Sequence, residues 1–134
     1  MNLCMVFAAA LLSAVADDVT EKRIAEYVKT LETGKDEARI EALKDLVREA
    51  ANVKPALPAI SKVLKSGSDE VRREAARSLS RLATHAVDAI PALIDAMKND
   101  KDGKVREYCA FAFKAMGPDG KAGVPALIAA LKDK

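Results

Sequence analysis

The sequence contains few of the side chains that staple small proteins, bind metals or fill aromatic cores. Its 134 residues include no tryptophan, one histidine, two cysteines, three phenylalanines and two tyrosines. Beyond the N-terminal apolar segment Cys109 is the only cysteine, so that part of the chain cannot form an internal disulfide, and we expect a small buried hydrophobe. His85 has no second histidine or cysteine at ligand spacing, which predicts no metal site. The core must therefore consist of aliphatic residues, a composition that favours helices.

Charge of either sign does not accumulate along the chain. The 22 basic and 20 acidic residues are interspersed and leave a net charge of +2. Because nucleic-acid binding depends on a concentrated basic surface, we expect no nucleic-acid partner. The sequence also lacks a phosphate-binding glycine loop and a nucleophile elbow. It therefore predicts no catalytic residue and no cofactor.

The first sixteen residues, MNLCMVFAAALLSAVA, carry no charge and end in an A-x-A arrangement before Asp17. This pattern predicts a secretory signal peptide over residues 1–16, a repeat domain over residues 17–134, and a secreted or periplasmic protein. A basic segment before the apolar run is missing, so a buried first helix or a misassigned start, in a cytoplasmic protein, stays open. The apolar run is shorter than the roughly 20 residues that span a bilayer, so we expect no membrane anchor after cleavage.

Three prolines mark an internal repeat. Pro58, Pro91 and Pro125 follow one another at intervals of 33 and 34 residues, each near the beginning of an apolar segment. A proline in the first turn of a helix forfeits no hydrogen bond, because the first four amides have no acceptor within the helix. Each proline therefore predicts a helix start, and Asp88 is a plausible N-cap for the middle copy.

Alignment on this period brings together DEARIEALKDLVREA, DEVRREAARSLSRLA and DGKVREYCAFAFKAMG as a second type of helix. Their apolar residues follow the spacing of one helical face, which predicts the core. The equivalent core positions are Ala38, Val71 and Val105; Ala42, Ala75 and Cys109; Leu43, Ala76 and Ala110; and Leu46, Leu79 and Phe113.

The proline-type helices have equivalent apolar positions as well. These positions are Leu57, Ile60 and Leu64; Ile90, Leu93 and Met97; and Val124, Leu127 and Leu131. An earlier segment, residues 19–31, aligns with them and has Ala25 at the proline position. The pattern predicts seven helices: three hairpins over residues 19–51, 56–84 and 89–116, and a final unpaired helix over residues 123–132.

A polar turn that repeats an aspartate and an arginine precedes each second-type helix. The aspartates are Asp36, Asp69 and Asp102, and the arginines that follow them are Arg39, Arg72 and Arg106. A carboxylate at a helix start accepts hydrogen bonds from free amides and opposes the positive end of the dipole. We expect these side chains to pair within or between units as a ladder, a structural role that explains three copies better than catalysis does.

The recurring second-type helix, followed each time by a helix that opens near P-A-L or P-A-I, resembles the HEAT family, specifically the short repeats named after phycobilisome lyases. The resemblance covers nearly all of residues 19–132. It implies an all-α, right-handed α-α superhelix with two layers of helices. Members of this family mostly act as protein-binding scaffolds, and a few are enzymes.

The resemblance implies that the second helix of each hairpin lines a concave binding face. Three sets of exposed equivalent positions are predicted there: Glu41, Glu74 and Tyr108; Lys44, Arg77 and Phe111; and Arg48, Arg81 and Ala115. Lys44, Arg48, Arg77 and Arg81 form what we call the basic stripe. In the third unit the pattern becomes apolar and aromatic, and neighbouring aromatics with flanking arginines are frequent binding hot spots.

Two interpretations of this surface follow. Tyr108 and Phe111 either anchor a protein or peptide ligand or fold under the segment GPDGKAG and the final helix. The basic stripe either meets an acidic partner or is a solvated face. The chain as a whole is predicted to be a noncatalytic interaction module; the alternative is a subunit of an enzyme such as a chromophore lyase. The sequence leaves the oligomeric state open.

Overall fold

The computed structural model describes residues 3–132, and within this range the side chains of residues 3, 4, 130 and 131 lie outside the description. Seven α-helices and no strand occur in the described range, which confirms the all-α prediction. The helices are α1 (Leu3–Thr33), α2 (Asp36–Arg48), α3 (Leu57–Ser66), α4 (Asp69–Leu82), α5 (Ile90–Asn99), α6 (Gly103–Met116) and α7 (Val124–Lys132).

The helices pack in two layers. Short turns join α1 to α2, α3 to α4 and α5 to α6, and each of these pairs packs together as a hairpin. The first layer consists of α1, α3, α5 and α7 in successive contact, and the second layer consists of α2, α4 and α6. Successive units therefore contact one another, as in a HEAT-like solenoid, where neighbouring repeats complete one another's core.

The prolines occupy the places that the sequence predicts. Pro58 and Pro91 are the second residues of α3 and α5, and Pro125 is the second residue of α7. The prediction that Asp88 caps α5 is wrong, because that helix begins at Ile90 and has no side-chain cap. A segment of 3-10 helix, Ala83–Ala89, runs directly into α5, and the Ile90 amide donates to the carbonyl of Val87. Backbone turns thus supply what a capping side chain would provide.

Equivalent 3-10 segments link all the hairpins. Residues 50–56, 83–89 and 117–123 each have two buried small or aliphatic residues that lie three positions apart. The inward positions are Val53, Ala86 and Gly120, and Ala56, Ala89 and Gly123. Short 3-10 turns place residues three apart on one side, so the linkers extend the core rather than merely joining helices.

Most predicted core positions are buried, including Leu43, Leu46, Ala75, Leu79 and Cys109. The exceptions lie at the two ends of the array. Ala38 is exposed whereas its equivalents Val71 and Val105 are fully buried, because no second-layer helix precedes α2. Val124 is 45% exposed although its equivalents are covered. The side chain of Leu131, predicted to cover the last hairpin, lies outside the described residues.

The first helix has two different halves. From Ile24 to Leu31 it presents the predicted face: Ile24 and Leu31 are buried, and Tyr27 and Val28 pack against the core. It begins at Leu3, well before the predicted start at residue 19, and its described side chains from Met5 to Val19 are all exposed. Among the described residues, no helix has the length and apolar character required to cross a membrane.

Candidate protein-interaction surface

The second layer carries the predicted binding residues on helices α2, α4 and α6. Glu41, Arg48, Arg77 and Arg81 are exposed, whereas Lys44 is partly covered. These positions therefore lie on the solvent side of the layer, as the repeat alignment predicts. Glu74 is much less accessible than Glu41, with a side chain only 12% exposed, so the two equivalent carboxylates have different environments.

Most charges of the basic stripe are compensated on their own helix. Lys44 lies 2.6 Å from the carboxylate of Glu41, and Arg48 pairs with Asp45. Arg77 lies 3.8 Å from Glu74 and is about half exposed, whereas Arg81 has no ion-pair partner among the described residues. Exposed pairs three residues apart contribute little to stability, so their side chains can exchange partners at small cost. Arg77 and Arg81 are consequently the most available cations of the stripe.

Tyr108 and Phe111 have different environments. Tyr108 is half-buried against the core, whereas the ring of Phe111 is 47% exposed. Phe111 also lines a groove with Pro118 of the glycine-rich segment and Val124 of α7. Phe111 thus lies beside the glycine-rich segment and the final helix, but they do not cover it, and the prediction that it anchors a ligand stays a prediction.

The groove beside Phe111 lies at the C-terminal end of the array. We call it the end groove, and it is lined by Ala110, Phe111, Phe113, Lys114, Gly117, Pro118, Gly120, Lys121, Val124 and Leu127. Its floor is mainly apolar. Lys114 and Lys121 are the only charged residues in this lining, and both are exposed.

A buried ion-pair network joins the second and third hairpins. Arg72 donates to both carboxylate oxygens of Asp100, at 2.8 and 3.1 Å, and to Asp69 at 3.0 Å. The side chains of Arg72 and Asp100 are only 9% and 7% exposed. The hydrogen bonds that Arg72 donates to Asp100 raise the pKa of Arg72, and hydrogen bonds from Lys101 and Arg72 lower the pKa of Asp69. The network holds the unit interface in one register.

The predicted aspartate-arginine pairs form in the first two units but not in the third, where Arg106 donates to the backbone carbonyl of Asp100 at 2.7 Å. Arg39 lies 3.7 Å from Asp36, but its buried Nε atom has no hydrogen-bond partner. Asp102 caps α6 by accepting from the Lys104 amide at 2.8 Å and pairs with Arg73 instead of Arg106. Burial opposes ionisation of Asp102, but these two donors prevail and lower its pKa.

Arg73, Asp100 and the burial of Arg72 were not predicted. A signal existed, since Arg72 lies between Val71 and Ala76 on the apolar face of its helix, where a charge requires a partner. Asp100 is the additional acidic residue of the third turn, whose equivalent in the second turn is Gly67. The sequence could thus have indicated a pair across the interface.

The described residues contain no group of three or more potential metal ligands. Burial raises the pKa of the Cys109 thiol to about 12, so the thiol stays protonated and behaves as a core side chain. His85 is exposed in the linker Ala83–Ala89. Glu41 and Glu74 lie on separate helices and each pairs with a neighbouring cation.

The geometry defines a class of protein: a two-layer α-solenoid of short helical hairpins with a polar second-layer face. Comparison with known families matches residues 24–114 to HEAT repeats and residues 105–133 to the PBS lyase HEAT-like repeat. A search of curated proteins finds no match. The chain belongs to the HEAT-repeat family.

Proposed function

We propose that this protein is a noncatalytic, exported interaction module that binds a protein or peptide ligand on its second-layer face. HEAT repeats form scaffolds that bind other proteins, which supports an interaction role. The observation that carries the proposal is Phe111. In the described range from residue 20 to residue 123, it is the only large hydrophobic side chain that is exposed.

The exposed ring lies at a position that is charged in the other two units, Lys44 and Arg77. Elsewhere in the array the same sequence position is solvated, so the aromatic residue does not serve repeat packing. An exposed aromatic with accessible arginines nearby on the layer is typical of a binding hot spot. The ligand would insert an apolar side chain against Phe111 and place carboxylates near Arg77 and Arg81.

Export is the second element of the proposal. Residues 5–19 project from the array with every side chain exposed, including Phe7, Leu11 and Leu12. An apolar helix whose side chains are exposed gains little from staying in the mature protein, since helix stability in proteins comes mainly from packing. Removal after Ala16 would leave a chain that begins with Asp17. N-terminal sequencing of the mature protein tests this: Asp17 first supports export, and a retained residue 1 contradicts it.

Binding is tested with a photo-crosslinking amino acid at Ala115, on α6 four residues after Phe111, and, as a control, at Lys62 on the first layer. Both positions are exposed. We expect a discrete adduct with a cell-envelope or extracellular protein at position 115 only, and its loss in Phe111→Ser. An unchanged circular dichroism spectrum would show that the variant still folds. Equal adducts at both positions, or adducts that survive Phe111→Ser, would contradict the proposal.

The alternative, a component of a chromophore lyase, is favoured by the match of residues 105–133 to the PBS lyase HEAT-like repeat. Titration of the purified protein with a linear tetrapyrrole, followed by visible absorbance, separates the two functions. The interaction module leaves the pigment spectrum unchanged. A saturable spectral shift at one equivalent would favour the lyase-related function instead.

A further inference from the structure

The end groove lies where the array's own interface would continue. Ala110, Phe113 and Gly117 of the groove are equivalent to Ala76, Leu79 and Ala83. In the preceding unit α6 packs along α4 and Ala76 is fully buried, whereas its equivalent Ala110 is only partly covered; Phe113, like Leu79, is buried by its own unit. No described helix packs in the corresponding place beside α6, although the same type of surface is present.

The α7 side of the end groove also consists of residues whose equivalents are covered in the preceding unit. Val124 and Leu127 are equivalent to Ile90 and Leu93 of α5, which are buried in the preceding unit. Val124 is exposed and Leu127 only partly covered, because the helix that would complete the hairpin with α7 is missing from the described residues. The groove thus has the shape and apolar floor of a site for one more helix.

The opposite end of the array is different. On the side of the second layer away from α4, Ala38 and Asp45 of α2 and the adjoining Glu49 stand where the interior unit has Val71, Ser78 and Leu82. Charged residues thus occupy that end, as in terminal repeats. The α2 end of a second copy presents no large apolar side chain to fill the groove, and the uncharged apolar residues 5–16 of its first helix offer no carboxylate to Lys114 and Lys121.

The charge of the groove defines its occupant further. Lys114 and Lys121 are the charged lining residues, and no carboxylate accompanies them there. A second C-terminal end would bring lysines against lysines, which disfavours a symmetric pair. The complement is a helix with an apolar stripe for the floor and carboxylates on its flanks.

We propose that the end groove binds an acidic amphipathic α-helix of a partner protein, which takes the place of the next second-layer helix beside α6. This site shares Phe111 with the proposed ligand surface but is distinct from the basic stripe. It rests on the proposed function in requiring a protein ligand, and Lys114, Lys121 and Val124 are the residues that set it apart.

The test uses a hydrocarbon-stapled helical peptide of about 16 residues, since shorter helices are marginal in water. The peptide carries a leucine stripe flanked by glutamates, and its matched control carries lysines in place of the glutamates. Fluorescence anisotropy measures the Kd of each peptide for the full chain. We expect the glutamate peptide to bind at least about tenfold more tightly than the lysine peptide.

Variants locate the binding site. The double variant Lys114→Glu with Lys121→Glu should reverse the preference, so that the lysine peptide binds more tightly, and Val124→Ser should weaken both peptides. Lys62→Glu with Lys65→Glu makes the same charge change on exposed positions of α3 and should leave both Kd values unaltered. Absence of binding, equal binding of the two peptides, or equal effects of both charge reversals would overturn the proposal.

The variant Arg77→Glu with Arg81→Glu distinguishes the groove proposal from the basic-stripe proposal. If this variant abolishes the photo-crosslinked adduct but leaves peptide binding intact, the basic stripe and the groove bind independently. If the variant leaves both the adduct and peptide binding intact, the basic-stripe proposal fails and the groove proposal stands. Self-association of the chain that Val124→Ser abolishes would identify a second copy as the occupant and overturn the assignment to a partner.

Discussion

The middle hairpin, α3 with α4, and the C-terminal end, α6 with α7, use the same repeat but have different neighbours. Hairpins lie on both sides of the middle one, and Leu57, Ile60 and Leu79 are almost completely buried. At the C-terminal end the equivalent of Leu57 is Val124, which is 45% exposed. The comparison shows that the repeat pattern places an apolar residue on the inner face of each unit, and that this residue is buried only where an adjacent unit covers it.

The largest difference between the two regions is expected for core truncation. Leu79→Ala removes a fully buried side chain between α4 and α6 and should lower the free energy of unfolding by about 2 to 5 kcal/mol. Val124→Ala, at the open end, should cost less than about 1 kcal/mol because much of its side chain already contacts solvent. Urea denaturation of both variants measures the difference. Equal losses would refute the contrast between an interior and an open end.

The second-largest loss of stability is expected when the ion pair that joins the second and third units is broken. Asp100→Ala should cost about 2 kcal/mol, less than the roughly 3 to 5 kcal/mol that follows removal of one partner of a fully buried pair, because Arg72 keeps its bonds to Asp69 and to the Gly67 carbonyl. Asp95→Ala, an exposed aspartate on α5, is the matched control and should have a small effect. Thermal and urea unfolding measure both. Similar values would show that the network does not hold this interface.

Packing of the last linker gives a smaller effect that is specific to the C-terminal unit. Phe113 replaces Leu79 in the repeat, while Gly120 and Gly123 replace Ala86 and Ala89. A methyl group at Gly123 would overlap the Phe113 ring, so Gly123→Ala should cost about 1 to 2 kcal/mol. The added substitution Phe113→Leu should recover part of the loss. Additive losses in this double-mutant cycle would contradict the proposed exchange of volume.

The smallest effect concerns the residues that end α4 and α6. Ala83 and Gly117 share nearly the same backbone conformation, with φ of 49° and 58° and ψ of −122° and −129°. This conformation is strained for alanine, so Ala83→Gly should stabilise the protein by up to about 1 kcal/mol, whereas Gly117→Ala should destabilise it. A lower melting temperature for Ala83→Gly would show that the two helix ends are not equivalent.

The number of helices and most of the core could be predicted from the sequence because both depend on local periodicity. Pro58 and Pro91 marked helix starts correctly, and Leu43 and Leu46 are buried as expected. The linkers could not be predicted, since their 3-10 turns do not follow the 3.6-residue period of an α-helix and Asp88 resembles a capping residue. The exposure of Ala38 depends on a missing neighbour, which no pattern within its own helix can indicate.

The sequence predicted which residues of the candidate surface face solvent, but not the contacts that their side chains make. Spacing placed Arg77 and Arg81 on the solvent side, but the pairing of Lys44 with Glu41 depends on rotamers. The end groove was not predicted, because its walls come from α6, the glycine-rich linker and α7, which become adjacent only after folding. Phe111 was identified because it is aromatic at a repeat position that carries Lys44 and Arg77 in the other two units.

Hydrogen exchange along the chain that begins at Asp17 tests most directly whether stability comes from neighbouring units. The account predicts the slowest amide exchange in α4, which has second-layer neighbours on both sides, and progressively faster exchange through α6 to α7. Addition of the glutamate-flanked peptide should slow exchange in α6 and α7 and leave α2 unchanged. Uniform protection from α2 to α7, or the slowest exchange in α7, would contradict the account.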